Sequence, residues 1–159
     1  MLFRSAYLLA LVVGVTLGTL AALRQNSRTD YLTMAAAMIG LSIPNFVLGP
    51  SLVLVFALTW HWLPPARWAG VDRHLILPVL TLSAVYMAYI ARLTRSGMLE
   101  VLRSNYIRTA RAKGLSERAT VIRHALRGGL LPVLSFSGPA LAFLITGTVV
   151  VERVFALPG

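Results

Sequence analysis

The residues able to do chemistry are scattered through this chain, except in one place. His61, His74 and His124 lie in three different segments, so no pair of them has metal-ligand spacing. There is no cysteine, which excludes disulfides and thiolate metal sites. The only lysine, Lys113, precedes Gly114 instead of following a glycine-rich run, so there is no P-loop to cradle phosphates. No nucleophile stands beside a base in an enzyme-like pattern. What is concentrated is positive charge. Nine of the 15 Lys/Arg residues fall between Arg92 and Arg127, against two carboxylates there, Glu100 and Glu117. Such a segment attracts and docks; it does not make or break bonds.

The order of residues in that segment predicts structure. Residues 103–113 contain no Gly or Pro and are rich in good helix formers. Gly114 suits the position just past a helix end, where φ turns positive. Ser116 stands as an N-cap with Glu117 in the following turn. Leu115, Ala119, Ile122 and Leu126 recur at helical spacing and predict one apolar face. Glu117, Thr120, Arg123, His124 and Arg127 fall on the opposite one. Gly128 and Gly129 close this second helix, and Glu100 with Arg103 is an i,i+3 pair on the preceding one. Residue types alone leave two readings open: a helix docking onto another protein, or a basic helix lying on anionic lipid.

The elements that must hold this loop are apolar. The 159 residues are 57% hydrophobic and 13% charged, about half the charge of a soluble domain. Four long stretches lack charge: 5–23, 31–60, 75–91 and 128–151. A bilayer core needs roughly 20 apolar residues as helix. The first stretch is too long for a signal h-region and has no small-x-small cleavage site, so it is read as a span. The second contains Pro44 and Pro50, which predict a kink. The third extends to about residue 99 if Arg92 and Arg95 snorkel to headgroups. The expectation is an all-α polytopic membrane protein, one domain over 1–159, with spans at about 5–23, 31–60, 75–99 and 129–151 and a loop at about 100–128.

Charge sets the orientation. The loops at 24–30 and 92–127 carry most of the arginine, which places them in the cytoplasm and both chain ends outside. The loop at 61–74 then lies outside, with Trp60, Trp62 and Trp68 as an interfacial belt, Arg67 and Arg73 as its cations, and Pro64–Pro65 breaking the helix. The spans contain no carboxylate to mark an ion path, which argues against a proton-coupled secondary transporter. The loop is too short for a supporting third helix, and topology already explains its charge, which argues against nucleic-acid binding. Pro44, Pro132 and Pro139, with Pro50 and Pro78, sit where spans could bend. Ser135, Ser137, Gly138, Ala140 and Ala142 permit close helix contact.

Residues 105–135 carry a longer pattern. Tyr106-Ile107-Arg108-Thr109-Ala110-Arg111-Ala112-Lys113-Gly114-Leu115 is followed by Arg123-His124-Ala125-Leu126 and Leu131-Pro132-Val133. This resembles the cytoplasmic loop of permeases in binding-protein-dependent ABC importers, in the branch for dipeptides, oligopeptides and nickel. The general family loop reads Glu-Ala-Ala, three residues, Gly, nine residues, Ile-x-Leu-Pro. Here only Ala110, Gly114 and Leu126 match it, with Arg108 and Thr109 at the first two positions, His124 at the Ile and Arg127 at the Pro. Gly40-Leu41-Ser42-Ile43-Pro44, Leu77-Pro78, Val151-Glu152 and Phe155-x-Leu157-Pro158-Gly159 extend the likeness over almost the whole chain.

The resemblance implies six spans in a complete permease, of which the four here correspond to the second to fifth, so a fragment of a longer protein is expected. It implies a cytoplasmic-membrane location in a bacterium or archaeon. It implies a loop that inserts a coupling helix into an ATPase subunit, here through Arg108, Thr109, Ala110, Arg111, Ala112, Lys113, Gly114, Leu115, Ala119 and Ile122. The implied partners are ABC ATPase subunits, a second homologous permease, an extracytoplasmic substrate-binding protein and the lipid bilayer. ATP-Mg would sit on the ATPase, and this chain would bind no cofactor. A polar lining of Ser, Thr and Asn45 is compatible with peptide backbone, nickel chelates or sugars.

Overall fold

The computed structural model describes residues 2–64 and 72–155. Among them every regular element is helical. Beyond Arg4 and Ser5, helix α1 (Leu2–Leu23) is apolar on nearly every side, so size rather than polarity selects its packing face. Ala6, Ala10, Gly14, Gly18, Ala21 and Ala22 are buried, whereas Leu8, Val12 and Leu20 face outward. This is the arrangement expected in hydrocarbon, where large apolar side chains gain nothing by hiding and small ones let backbones approach.

Helix α4 (Ile76–Leu102), led by a 3-10 turn at Asp72–Leu75, takes that face. A Cβ on Gly14 would lie 2.8 Å from Ile90 Cγ2 and 2.9 Å from the Met87 carbonyl oxygen. On Gly18 it would strike the Ala91 carbonyl. Contacts advance in step: Ala10 clusters with Ile90, Gly18 meets Thr94, and Ala22 clusters with Met98. Helices α1 and α4 therefore run parallel, and the chain must return between them.

The return is made by α2 (Arg28–Ser42) and α3 (Asn45–Leu52), which winds on as a π-helix through Val53–Thr59. The axis bends by 104° between them. Pro44 stands at the break in an extended conformation; its missing N–H cannot continue the α2 ladder. Pro50 lies inside α3 and removes a second ladder bond shortly before the π-helical stretch. The path still follows α4 from end to end. Asp30 meets Arg95, Gly40 faces Ala84 and Ala88, Gly49 lies near Thr81, and Ala57 joins the Leu77 cluster.

Helix α5 (Asn105–Ala112), α6 (Glu117–Ala119), a π-helical stretch Thr120–Ala125 and α7 (Leu126–Gly129) form the loop after α4. Helix α8 (Leu131–Val154) then runs antiparallel to α4: Val133 clusters with Ile90, and Leu144, Val151 and Phe155 with Leu77 and Leu82. The Tyr7 hydroxyl donates to Ser137 Oγ at 2.5 Å, tying α1 to α8. Pro132 occupies the first turn of α8 and Pro139 its interior.

Leu2–Leu23 and Arg73–Leu102 are each long and apolar enough to cross a membrane. Two further pairs reach that length only across a bend: α2 with α3, and Glu117–Gly129 with Leu131–Ile145, the latter at 48°. The described residues thus hold two spans, or four if each bent pair is one. At the end away from the basic loop, Trp60 and Trp62 are exposed, their ring centroids 4.7 Å apart and their planes tilted by 42°, with Phe56 edge-on to Trp60. Trp68, Arg67 and Pro65 lie outside the described residues, as do Leu157, Pro158 and Gly159.

Candidate partner-docking site

Helix α5 is amphipathic. Ile107 and Ala110 are buried, and Ile107 clusters with Ala22 and Met98 at the ends of α1 and α4. Tyr106, Arg108, Thr109, Arg111 and Ala112 face outward. The helix ends in a Schellman motif: the Leu115 N–H donates to the Ala110 carbonyl at 3.4 Å and the Gly114 N–H to the Arg111 carbonyl at 2.9 Å. Gly114 has φ +78°, and a Cβ there would touch nothing within 4 Å. Glycine is required at this position by the backbone angle and not by space.

Ser116 starts α6 and accepts from the Ala119 N–H at 3.3 Å. Across the turn, Arg111 grips Glu117 with both ends of its fork, at 2.7 and 3.1 Å. Arg111 hydrogen bonding holds the Glu117 carboxyl below the usual carboxylate range, and the same bond raises the guanidinium. Lys113, Gly114 and Leu115 are thereby presented outward on a turn closed by two backbone bonds and one ion pair.

The π-helical winding of Thr120–Ala125 changes which residues point where. Thr120, Val121 and Ala125 are buried, the last two in the cluster with Met98 of α4 and Ile107 of α5. Thr120, expected on the polar face by simple helical spacing, is therefore inside, because one extra residue per turn rotates the register. Leu126 packs against the same cluster, whereas Ile122 is 53% and Leu115 38% exposed. Ser116, Arg118, Ala119, Ile122 and Arg123 line a surface hollow of about 310 Å³. The exposed apolar positions are thus Leu115 and Ile122, with half-buried Ala119 between them, and arginines flank them.

The loop is seated firmly. A Cβ on Gly129 would lie 2.6 Å from Met98 Sδ, and one on Gly97 would strike the Gly129 carbonyl. Arg103 caps the end of α4, its backbone N–H donating to the Glu100 carbonyl at 3.3 Å, while its guanidinium donates to Gln25 Oε1 at 3.1 Å and not to the Glu100 side chain.

One charged group behaves differently from the sequence expectation. Asp30 lies in the first turn of α2, is 2% exposed, and receives both Arg95 Nε at 2.5 Å and Arg95 Nη2 at 2.7 Å. Arg95 therefore pairs across helices instead of snorkelling outward. The local signal was present: Ser27-x-x-Asp30 is a capping pattern, and Ser27 Oγ does accept from the Asp30 N–H at 3.4 Å. Nothing in sequence linked that pattern to Arg95. Among the described residues no group of three His, Asp or Glu side chains could hold a metal.

The family model described as binding-protein-dependent transport system inner membrane component matches residues 14–159. The oligopeptide transport system permease protein OppB of Salmonella typhimurium is 54% identical over 156 residues, covering 98% of this chain and 51% of the relative. Its Escherichia coli K12 counterpart is 52% identical with the same coverage. The dipeptide transport system permease protein DppB of Bacillus subtilis is 46% identical over 155 residues, with 98% and 50% covered. The chain spans about half the length of the curated relatives it matches.

Proposed function

Because the chain belongs to the family of inner membrane components of binding-protein-dependent transport systems, we propose that it forms the part of a peptide-importing permease that receives force from an ATPase. The observation that carries this reading is the loop 103–129. It is capped, clamped and seated on the ends of α1 and α4, yet it leaves Leu115, Ile122, Arg118 and Arg123 facing outward. A lipid-surface helix needs no such bracing. A contact that transmits force does, because slack between the docked turn and the spans would absorb the motion.

The partners are two ABC ATPase subunits, a second homologous permease and an extracytoplasmic binding protein that delivers substrate. ATP-Mg sits on the ATPases, and this chain supplies no catalytic residue. The relatives' names, oligopeptide and dipeptide permeases, favour peptides as cargo. Contacts centre on the turn Lys113-Gly114-Leu115 with Ala119 and Ile122. Arg108, Thr109, Arg111 and Ala112 border it, and Ala110 supports it from below. Pro44, Pro132 and Pro139, at or near breaks in the helical ladders, serve as the places where spans bend during alternating access.

Gly114→Val tests the role of the turn in the assembled transporter. A β-branched residue at φ +78° must strain or rebuild the turn. The expected result is a folded complex that hydrolyses ATP but imports labelled trialanine at no more than about a tenth of the normal rate. Import at the unaltered rate overturns the coupling role.

A further inference from the structure

We infer that the Asp30–Arg95 pair is a strut that carries movement of the docking loop into the bent α2–α3 segment. The inference rests on the docking reading of that loop. Arg95 lies on α4, the helix that runs into the loop: Arg103 ends α4 and Ser104 begins α5. The loop cannot slide on α4, because the backbones meet at Gly97 and Gly129. Whatever displaces the loop displaces this end of α4.

The link from α4 to α2 is of another kind. Over their middle the two helices touch only through apolar contact, as where Gly40 faces Ala84 and Ala88. An apolar groove of about 570 Å³ opens between α2, α3 and α4, lined in part by Ala36, Ala37, Gly40, Ala84 and Ala88. Leu48, Leu52, Phe56 and Met87 complete that lining, and apolar contacts of this kind have no fixed direction, so the helices can shift along them. At the loop end the connection is directional instead. Arg95 places its planar fork on both oxygens of Asp30, whose side chain is 3% exposed. One of those oxygens also accepts the Asn26 N–H at 2.9 Å, which ties the carboxylate to the α1–α2 turn. A bidentate pair specifies distance and orientation together. Burial removes the water that would let it re-form elsewhere. About 12 Å further along α4, at 1.5 Å per residue, Arg103 donates to Gln25 and steadies the same turn. Arg95 and Asp30 are thus positioning residues: they touch no substrate, and they fix how α2 follows α4.

The test uses the assembled transporter in liposomes and reads ATP hydrolysed per labelled trialanine imported. Asp30→Asn and Arg95→Gln are each expected to raise that ratio about tenfold, with ATPase subunits still co-purifying in the normal proportion. Arg103→Ala should raise it less. The exchange Asp30→Arg with Arg95→Asp should bring it back toward normal, which a simple loss of packing would not do. If the neutralised variants fail to assemble, Asp30→Glu and Arg95→Lys retain the charges but change reach and fork geometry, and the ratio should rise there. An unaltered ratio in any assembled single-site variant of Asp30 or Arg95 overturns the strut alone. Absence of ATPase subunits from the wild-type preparation overturns the docking reading and the strut with it.

Discussion

The α1–α2 turn at residues 24–27 and the loop at residues 103–130 lie side by side at one end of the molecule, and both carry arginine. They treat charge in opposite ways. The short turn leads into Asp30, whose carboxylate is buried and fully used by Arg95 and the Asn26 N–H. The long loop keeps its one ion pair, Arg111–Glu117, about half exposed, with Arg108, Arg118 and Arg123 facing outward. The same positive-inside bias thus serves two ends. Where a cation meets a carboxylate away from water it locks helices together. Where it stays in water it remains available to another molecule.

The largest expected effect separates these two kinds of pair. Asp30→Ala leaves the Arg95 fork unpaired in a mostly buried place and should destabilise the chain by about 3–5 kcal/mol. Glu117→Ala should shift it by only about 0–1 kcal/mol. Denaturant titration of the purified protein in detergent checks both, and equal losses would erase the distinction drawn between them.

A smaller effect concerns how the loop is attached. Gly97→Ala drives a methyl group into the Gly129 backbone. It should destabilise by about 1–3 kcal/mol as α4 and α7 separate. Amide hydrogen exchange should show the loss concentrated in α7 and not in α1. Uniform loss along the bundle would mean that the loop is not independently seated there.

The smallest effect is acid sensitivity of the exposed turn. Arg111 lowers the folded pKa of Glu117, so this contribution is present above the ordinary Glu range and is lost as pH falls through the folded value. Protection of the Gly114 and Leu115 amides, taken relative to their intrinsic exchange rate at each pH, should therefore fall below about pH 4.5. Arg111→Ala should remove that pH dependence. If it persists in Arg111→Ala, the clamp is not its cause.

Much of the loop was legible from residue order because caps are local. Gly114 at a helix end and Ser116 at a helix start need only a few neighbours to be recognised, and both take those places. The face of the second helix was misread at Thr120, because the π-helical stretch Thr120–Ala125 departs from the 3.6-residue period that spacing arguments assume. The burial of Asp30 was also missed. Its partner is 65 positions away, and no local pattern names a partner at that distance.

Hydropathy and charge by themselves determined an all-helical membrane protein with its arginines gathered into one loop, since lipid admits few charges and leaves backbone bonds to be made within each helix. Tertiary structure alone decided that α1 and α4 run parallel, that the kink expected at Pro44 is as sharp as 104°, and that Arg95 reaches Asp30. Those outcomes depend on which small residues let two backbones meet, and that choice belongs to pairs of helices and to no single stretch of sequence.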